Sequence, residues 1–379
     1  MNSLVRSKAR LMQMYTNLRG WRTKRRLLVI ESDDWGALRI PSRTAHCKLT
    51  AAGIYLDSSP YDHLDCLESR NDFQALMNVI DSHRDASGRP AKFTFNTVMG
   101  NPDFEAIEQD NFKAFHHQHF FDSYRAYHGE DLEQDWRNAM AANLIRPQFH
   151  AREHLNSPLW MADLQAGHDE TRMAFNYRFY AHNTRTGSLR QKNYLCAYWP
   201  ETPEALEIIH SILDDGLSQF NETFGFRSLS FVGCNYVWPG ALERHLAELG
   251  VKGLQTQRAR LEPNPDRGGA IQVRRHYTGQ KNRRGQFYSV RNVVLEPFLN
   301  RKIDWTARAL AEVGQAFRFY KPAIVCSHRI NYVGGMNMSH RDRSLKQLSR
   351  FLDGVRQRWP DVEFISSDEL INLMEAEPR

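Results

Sequence analysis

The chain alternates short apolar runs with stretches of helical periodicity. The first run, LLVI at 27–30, passes directly into Glu31, Ser32, Asp33, Asp34, Trp35 and Gly36. So short a run, closed by polar residues and a glycine, predicts a buried parallel strand. Further strands are predicted at 92–100 (KFTFNTVMG), 144–150 (LIRPQFH), 251–257 and 322–328 (PAIVCSH), with a strand and its terminal loop at 226–239 and a strand running into a last helix at 362–370. Between them, 72–83 sets Phe73, Leu76, Met77 and Ile80 on one helical face, and 202–215, 241–250, 305–320 and 344–359 also read as helices. Strand, helix and strand in succession form βαβ units, which build a parallel sheet flanked by helices. About seven such strands predict an α/β fold, a distorted (β/α) barrel, as one domain over 27–379. Residues 101–142 are too long for a simple connection and predict an insertion. Residues 258–292, basic and glycine-rich, predict a loop or hairpin.

Composition narrows the class. A chain of 379 residues buries a sizeable core. No apolar run approaches a membrane span, and the basic first residues lack the apolar segment of a secretory signal. A cytoplasmic location is therefore expected. The five cysteines are scattered without a CxxC pair. They predict reduced thiols, so a zinc site must draw on carboxylate and imidazole. The net charge of +6 is concentrated: residues 1–26 hold eight Lys or Arg and no acid. The remainder is near neutral, which argues against a nucleic-acid partner. The arm 1–26, with Leu4, Leu11, Met14, Leu18 and Trp21 among its charges, suits either peripheral contact with an anionic membrane or packing on the body. Packing is the preferred expectation. Oligomeric state stays open.

The candidate chemistry lies where predicted strands end. Asp33 and Asp34 stand at the end of the first, where one carboxylate can hold a cation while its neighbour works as a base. His150 and His154, in QFHAREHLN, are spaced i, i+4, which would stack both imidazoles on one face of a helical turn. Two imidazoles and a carboxylate make a three-ligand site with positions open for water and substrate, as a catalytic zinc requires. His328 ends PAIVCSH, and strand C-termini of a barrel meet at one face.

These residues resemble the polysaccharide deacetylases, the NodB-like carbohydrate esterases. ESDDWG is similar to their TFDDG segment, HAREH to HSxxH, VCSH with Arg329 to LxH, and KFTFNTVMG to their second strand. The resemblance runs in order over roughly 26–370. It implies Asp34, His150 and His154 as ligands of a divalent metal, most simply Zn²⁺, with Asp33 as base and His328 as general acid. The implied activity is hydrolysis of N- or O-acetyl groups on a carbohydrate. Two segments depart from the family. Where RxPYG belongs, this chain has FVGCNY (231–236), without the arginine that orients the catalytic aspartate; the DxxDW segment has no clear counterpart. Trp35, Arg152, Asn235, Tyr236, Trp238 and Arg329 are the candidate substrate contacts, the aromatic ones as platforms for sugar rings; Trp160 and Trp199 are weaker candidates of the same kind. Two other readings compete: a glycan-binding barrel without catalysis, which the missing arginine favours, and a metal-dependent amidase of a non-sugar substrate. Glu153 is poorly spaced for a metalloprotease base, and His116, His117 and His119 read as a surface stretch.

Overall fold

The computed structural model describes residues 14–54, 56, 59–183 and 194–377. Residues 1–13, which hold half of the basic arm, lie outside them.

Among the described residues, nine strands form one sheet: β1 (Arg26–Trp35), β2 (Phe93–Val98), β3 (Ile145–Ala151), β4 (Ser230–Phe231), β5 (Gly253–Thr256), β6 (Phe287–Val290), β7 (Val293–Val294), β8 (Ala323–His328) and β9 (Val362–Ile365). The order is β6-β5-β4-β3-β2-β1-β8-β7, and every pairing is parallel. β9 lies beside the first half of β1, on the edge left free because β1–β2 pairing begins at Ile30. The two ends of the order, β6 and β7, are separated in the chain only by Arg291 and Asn292. The sheet thus curls round on itself, and one broken strand forms the seam: Arg291 N–H donates to Thr256 on one side and Asn292 N–H to Ile324 on the other. Helices surround the curl, and a continuous apolar core runs from Leu28 to Phe364 between them and the sheet.

Most predicted strands and helices lie where the pattern put them, although 226–239 contributes only Ser230–Phe231 to the sheet, and one stretch differs in kind. Residues 287–294 belong largely to the stretch predicted as loop, yet they form β6 and β7. Their polar centre, Ser289 to Asn292, hid the strand, because Ser289 and Arg291 are buried beside carboxylates. The preceding part is the predicted hairpin, Ala259–Asn264 against Ala270–Arg275. Local chemistry explains the ends of several helices. The helix Arg70–Asp81 starts in a capping box between Ser69 and Asp72 and buries the four apolar residues of its predicted face.

The stretch 101–142 is structured throughout. A short hairpin (Gly100–Pro102 with His117–His119) is followed by helices Phe120–His128 and Glu133–Ala141, whose Phe120 and Trp136 join the main core. His116, His117 and His119 sit half-buried beside Asp110, Gln219 and Thr223. Of the arm, residues 17–25 pack on the body. Trp21 is buried, its indole N–H donating to the Glu377 carbonyl, and Lys321 Nζ donates to the carbonyls of Arg19 and Trp21.

The interior of the curl is layered. At its base Leu27, Val29, Phe287 and Ile324 pack against the C-terminal helix Ser367–Ala376 and Trp21. Above them the interior turns polar: Glu31, Asn96, Gln148, Ser230, Gln255 and Ser289 are all buried and hydrogen-bonded to one another or to Arg291. A buried layer of this kind is tolerable only when its members are satisfied. It forms the floor on which the next residues up the strands rest.

Candidate active site

Adjacent residues of a strand point to opposite faces, so Asp33 and Asp34 could not both face inward from a regular β1. The pairing of β1 with β2 shifts between Ser32 and Trp35, an extra residue on β1, and Asp34 has φ +75°. This bulge turns both carboxylates toward one cavity. A second register shift, between β2 and β3, leaves out His150 in the same way. Bulges re-aim side chains beside active sites, and here the two bulged residues meet: Asp34 Oδ1 lies 3.4 Å from His150 Nε2 and 3.3 Å from His154 Nε2. The expected helical turn for the histidine pair is therefore corrected. His150 is in β3, the chain bends through 152–155, and the rings meet with centroids 5.1 Å apart without any helix.

His150 Nδ1 donates to the Val232 carbonyl at 2.7 Å, and its buried Nε2, 3.4 Å from Asp34 Oδ1, makes no hydrogen bond. The loop after β4 brings a further donor. Cys234 is fully buried, and its sulfur lies within 4.8 Å of the imidazole nitrogens of His150 and His154. Burial pushes the Cys234 thiol up, but the neighbouring imidazoles outweigh it and bring it down to about 6. The two imidazoles are thus met by the thiol on one hand and by the Asp34 carboxylate on the other, donor types that suit a transition-metal dication.

Asp33 is in a different environment. Arg291, from the seam, grips it with both terminal nitrogens at 2.7 Å, while Arg291 Nε donates to Glu31 at 2.7 Å. Asn96 adds a donor to Asp33 at 2.7 Å. Burial alone would raise the Asp33 carboxyl; Arg291 overrides it and holds the group at about 2. The arginine absent from 231–236 is thus supplied by the seam, 55 residues beyond Tyr236, whose hydroxyl it also meets at 2.6 Å.

Across the cavity, His328 stands beside Asp33 in register on β8. Its Nδ1 meets Glu296 Oε1 at 2.5 Å, and Nε2 is 3.6 Å from Asp33 Oδ2, too long for a hydrogen bond. Glu296 is itself fixed by Asn331 at 2.7 Å. Burial depresses the imidazole, but Glu296 overrides it and raises His328 to about 9.

The cavity holding these groups measures about 290 Å³ and is also lined by Arg39, Tyr61, Asp62, Asn235 and Tyr236. Arg39 is buried, pairs with Asp65 at 3.3 Å and lies 5.4 Å from the Tyr61 ring centroid. Asn235 and Tyr236 have φ of +56° and +57°, backbone strain of the kind that gathers at functional sites.

Of the expected substrate contacts, Asn235 and Tyr236 reach the cavity; four do not. Trp35 is buried, stacked on Phe95 at 3.8 Å. Trp238 is buried against Phe231, under the Arg260 guanidinium. Neither ring is available to a sugar. Arg152 turns away to Glu153 and Asp215. Arg329 is fully buried and bonded to Asp65, Glu68 and the Ala37 carbonyl, so it ties the loop after β1 to the barrel. Trp160 is also core, and Trp199 donates to the Gly269 carbonyl.

Sequence reasoning missed Cys234, Arg291 and Glu296. Glu296 had a signal: VVLE at 293–296 is an apolar run ending in a carboxylate, the pattern that marked 27–34. Arg291 and Cys234 had none, since their partners lie on distant strands. A second hollow of about 830 Å³ lies by the 259–275 hairpin, away from these groups. Its Arg260 and Arg274 are already paired with Glu262.

No family model and no curated protein matches the chain. Solved structures similar to it include a protein assigned as a glycoside hydrolase or deacetylase from Parabacteroides distasonis (10% identity, 94% of this chain and 73% of that one, TM-score 0.48). The allantoinase PuuE is similar at 11% identity, over 94% and 93% of the two chains, with TM-score 0.46. A protein assigned as a polysaccharide deacetylase from Mycobacterium smegmatis gives 10%, 94%, 93% and 0.43. Likenesses at this level assign neither a reaction nor a substrate.

Proposed function

We propose that the protein is a metal-dependent hydrolase that removes acetyl groups from the nitrogen or oxygen of a carbohydrate. The observation that carries this reading is the division of labour between two adjacent carboxylates: Asp34 faces two imidazoles and Asp33 is gripped by Arg291. Asp34, His150 and His154 would hold the cation, most simply Zn²⁺, which supplies Lewis-acid chemistry when bound.

The remaining work falls to the chain. Arg291 keeps Asp33 ionised and fixes its plane, so that Asp33 can take the proton of an attacking water. Glu296 holds His328 protonated near neutrality with its Nε2–H free. That proton goes to the leaving nitrogen or oxygen as the acyl bond breaks. Tyr61 and Tyr236 wall the cavity and limit the water admitted with substrate.

The grip of Arg291 on Asp33 weighs against a catalytically silent glycan-binding barrel, whose support was the arginine missing from 231–236. The amidase reading keeps one specific support: with the tryptophans buried, Tyr61 and Tyr236 alone among the described residues offer aromatic rings to the cavity besides its histidines, which suits a compact amide as well as a sugar.

The test is metal content of the purified protein beside His150→Ala and Asp34→Ala, together with acetate release from acetylated oligosaccharides and from simple acetamides. About one equivalent of metal, lost in both variants, with acetate released from a sugar, is the expected result. Absence of metal after loading with Zn²⁺ or Co²⁺ overturns the hydrolase; release from acetamides alone selects the amidase.

A further inference from the structure

We propose that Cys234 is itself a ligand of the metal, joining the imidazoles of His150 and His154 as a thiolate; this rests on the metal site of the reading above. Three features carry it. The sulfur is fully buried and within 4.8 Å of both imidazoles, the distance range in which one cation can touch all three. His150 Nε2 is buried without a hydrogen bond, while its other nitrogen is anchored on Val232, two residues before Cys234 on the same loop. The loop is forced into its shape: Gly233 packs under Trp238, where an added Cβ would lie 2.5 Å from the ring, and Asn235 and Tyr236 are both left-handed.

A metal-free thiol does not account for this arrangement. A cysteine S–H is one weak donor and cannot serve two imidazoles, and an apolar side chain in its place would leave the buried His150 nitrogen just as unpaired. Coordination accounts for it, the cation taking the place of the thiol proton, which leaves to solvent.

The donor set has a consequence for metal choice. Two imidazoles and one carboxylate accept many divalent ions; adding a thiolate favours Zn²⁺ and Co²⁺ over the hard cations Mg²⁺ and Ca²⁺. It also makes oxidation of one buried sulfur a route to losing the metal.

The experiment is Co²⁺ loading of the intact protein, read by absorption. Wild type is expected to show a sulfur-to-cobalt charge-transfer band in the near ultraviolet together with visible ligand-field bands. Cys234→Ser is expected to lose the first and keep the second, with Co²⁺ held at least tenfold more weakly. Cys47→Ser, at an exposed thiol, should leave the spectrum unchanged, and circular dichroism verifies that each variant is folded. Identical spectra for wild type and Cys234→Ser, or loss of the band in Cys47→Ser instead, overturn the thiolate ligand while leaving the metal site intact. Failure of folded wild type to bind Co²⁺ overturns this inference and the metal site together. If Cys234→Ser does not fold, the absence of a charge-transfer band in wild type is the deciding negative.

Discussion

Replacing Arg291 with methionine isolates the cost of the buried charge cluster. The guanidinium is buried and serves two carboxylates, Glu31 and Asp33, with contacts of 2.7 Å. Methionine keeps much of the hydrocarbon volume and removes the charge. Glu31 would retain only the hydroxyls of Ser289 and Ser367, and Asp33 the amide of Asn96. Removing one partner of a buried ion pair costs about 3–5 kcal/mol. The escape is protonation, and protonating a carboxyl of ordinary affinity near neutral pH costs about 4 kcal/mol, so both routes give the same figure. They also fix the sign. In the variant a folded-state carboxyl pKa is raised above its unfolded value, so the deficit is greatest near neutrality and shrinks as protons become available. Urea denaturation of wild type and variant at about pH 7.5 and about pH 5 measures this. Adding Glu31→Gln to Arg291→Met should recover about half of the loss, because one of the two stranded charges is then gone. A loss below about 1 kcal/mol at both pH values would refute the assignment of Arg291 as the clamp.

The same geometry sets three further expectations. With His328 held near 9 by Glu296, the proposed general acid would stay protonated through neutrality and the rate should fall only as pH rises through about 9; Glu296→Gln should draw that limb toward about 6.5 and slow turnover about a hundredfold, seen in a pH–rate profile. His182 is buried and neutral, its pKa depressed to about 4 by burial. As pH falls from 6.5 the unfolded chain takes up that proton first, so about 3 kcal/mol of stability should be lost between about pH 6.5 and about 4, and His182→Gln should flatten this limb in denaturant titrations. Gly36 has φ +82°, and a Cβ there would meet the Val98 carbonyl at 2.8 Å and Phe120 at 2.9 Å. Gly36→Ala should cost about 1–3 kcal/mol in thermal or chemical denaturation.

What the sequence made legible was local. An apolar run closed by Asp33-Asp34 announces itself within ten residues, and so does His328 after PAIVCSH. Helix faces such as Phe73, Leu76, Met77 and Ile80 are equally self-contained. What it hid depends on partners far along the chain. Arg291 looks like one more charge in a basic stretch until Glu31 and Asp33 are seen opposite it. Cys234 is an ordinary core thiol until two imidazoles stand beside it. The tryptophans misled for the converse reason: Trp35 and Trp238 lie close to chemical residues in sequence, but their rings pack into the core, on Phe95 and against Phe231.

The broken strand that closes the sheet ties chemistry to the history of folding. Arg291 must cross 258 positions of sequence to reach Asp33, and contacts of such separation form slowly and late. A chain that has built its early strands and not yet zipped the seam already owns both aspartates and both histidines, but lacks the cation that restrains the base. Such an intermediate could collect metal before it could turn over. Catalysis would then report closure of the seam, and metal uptake the arrival of the strands before it, so the two timed against each other during refolding would read out the order of assembly.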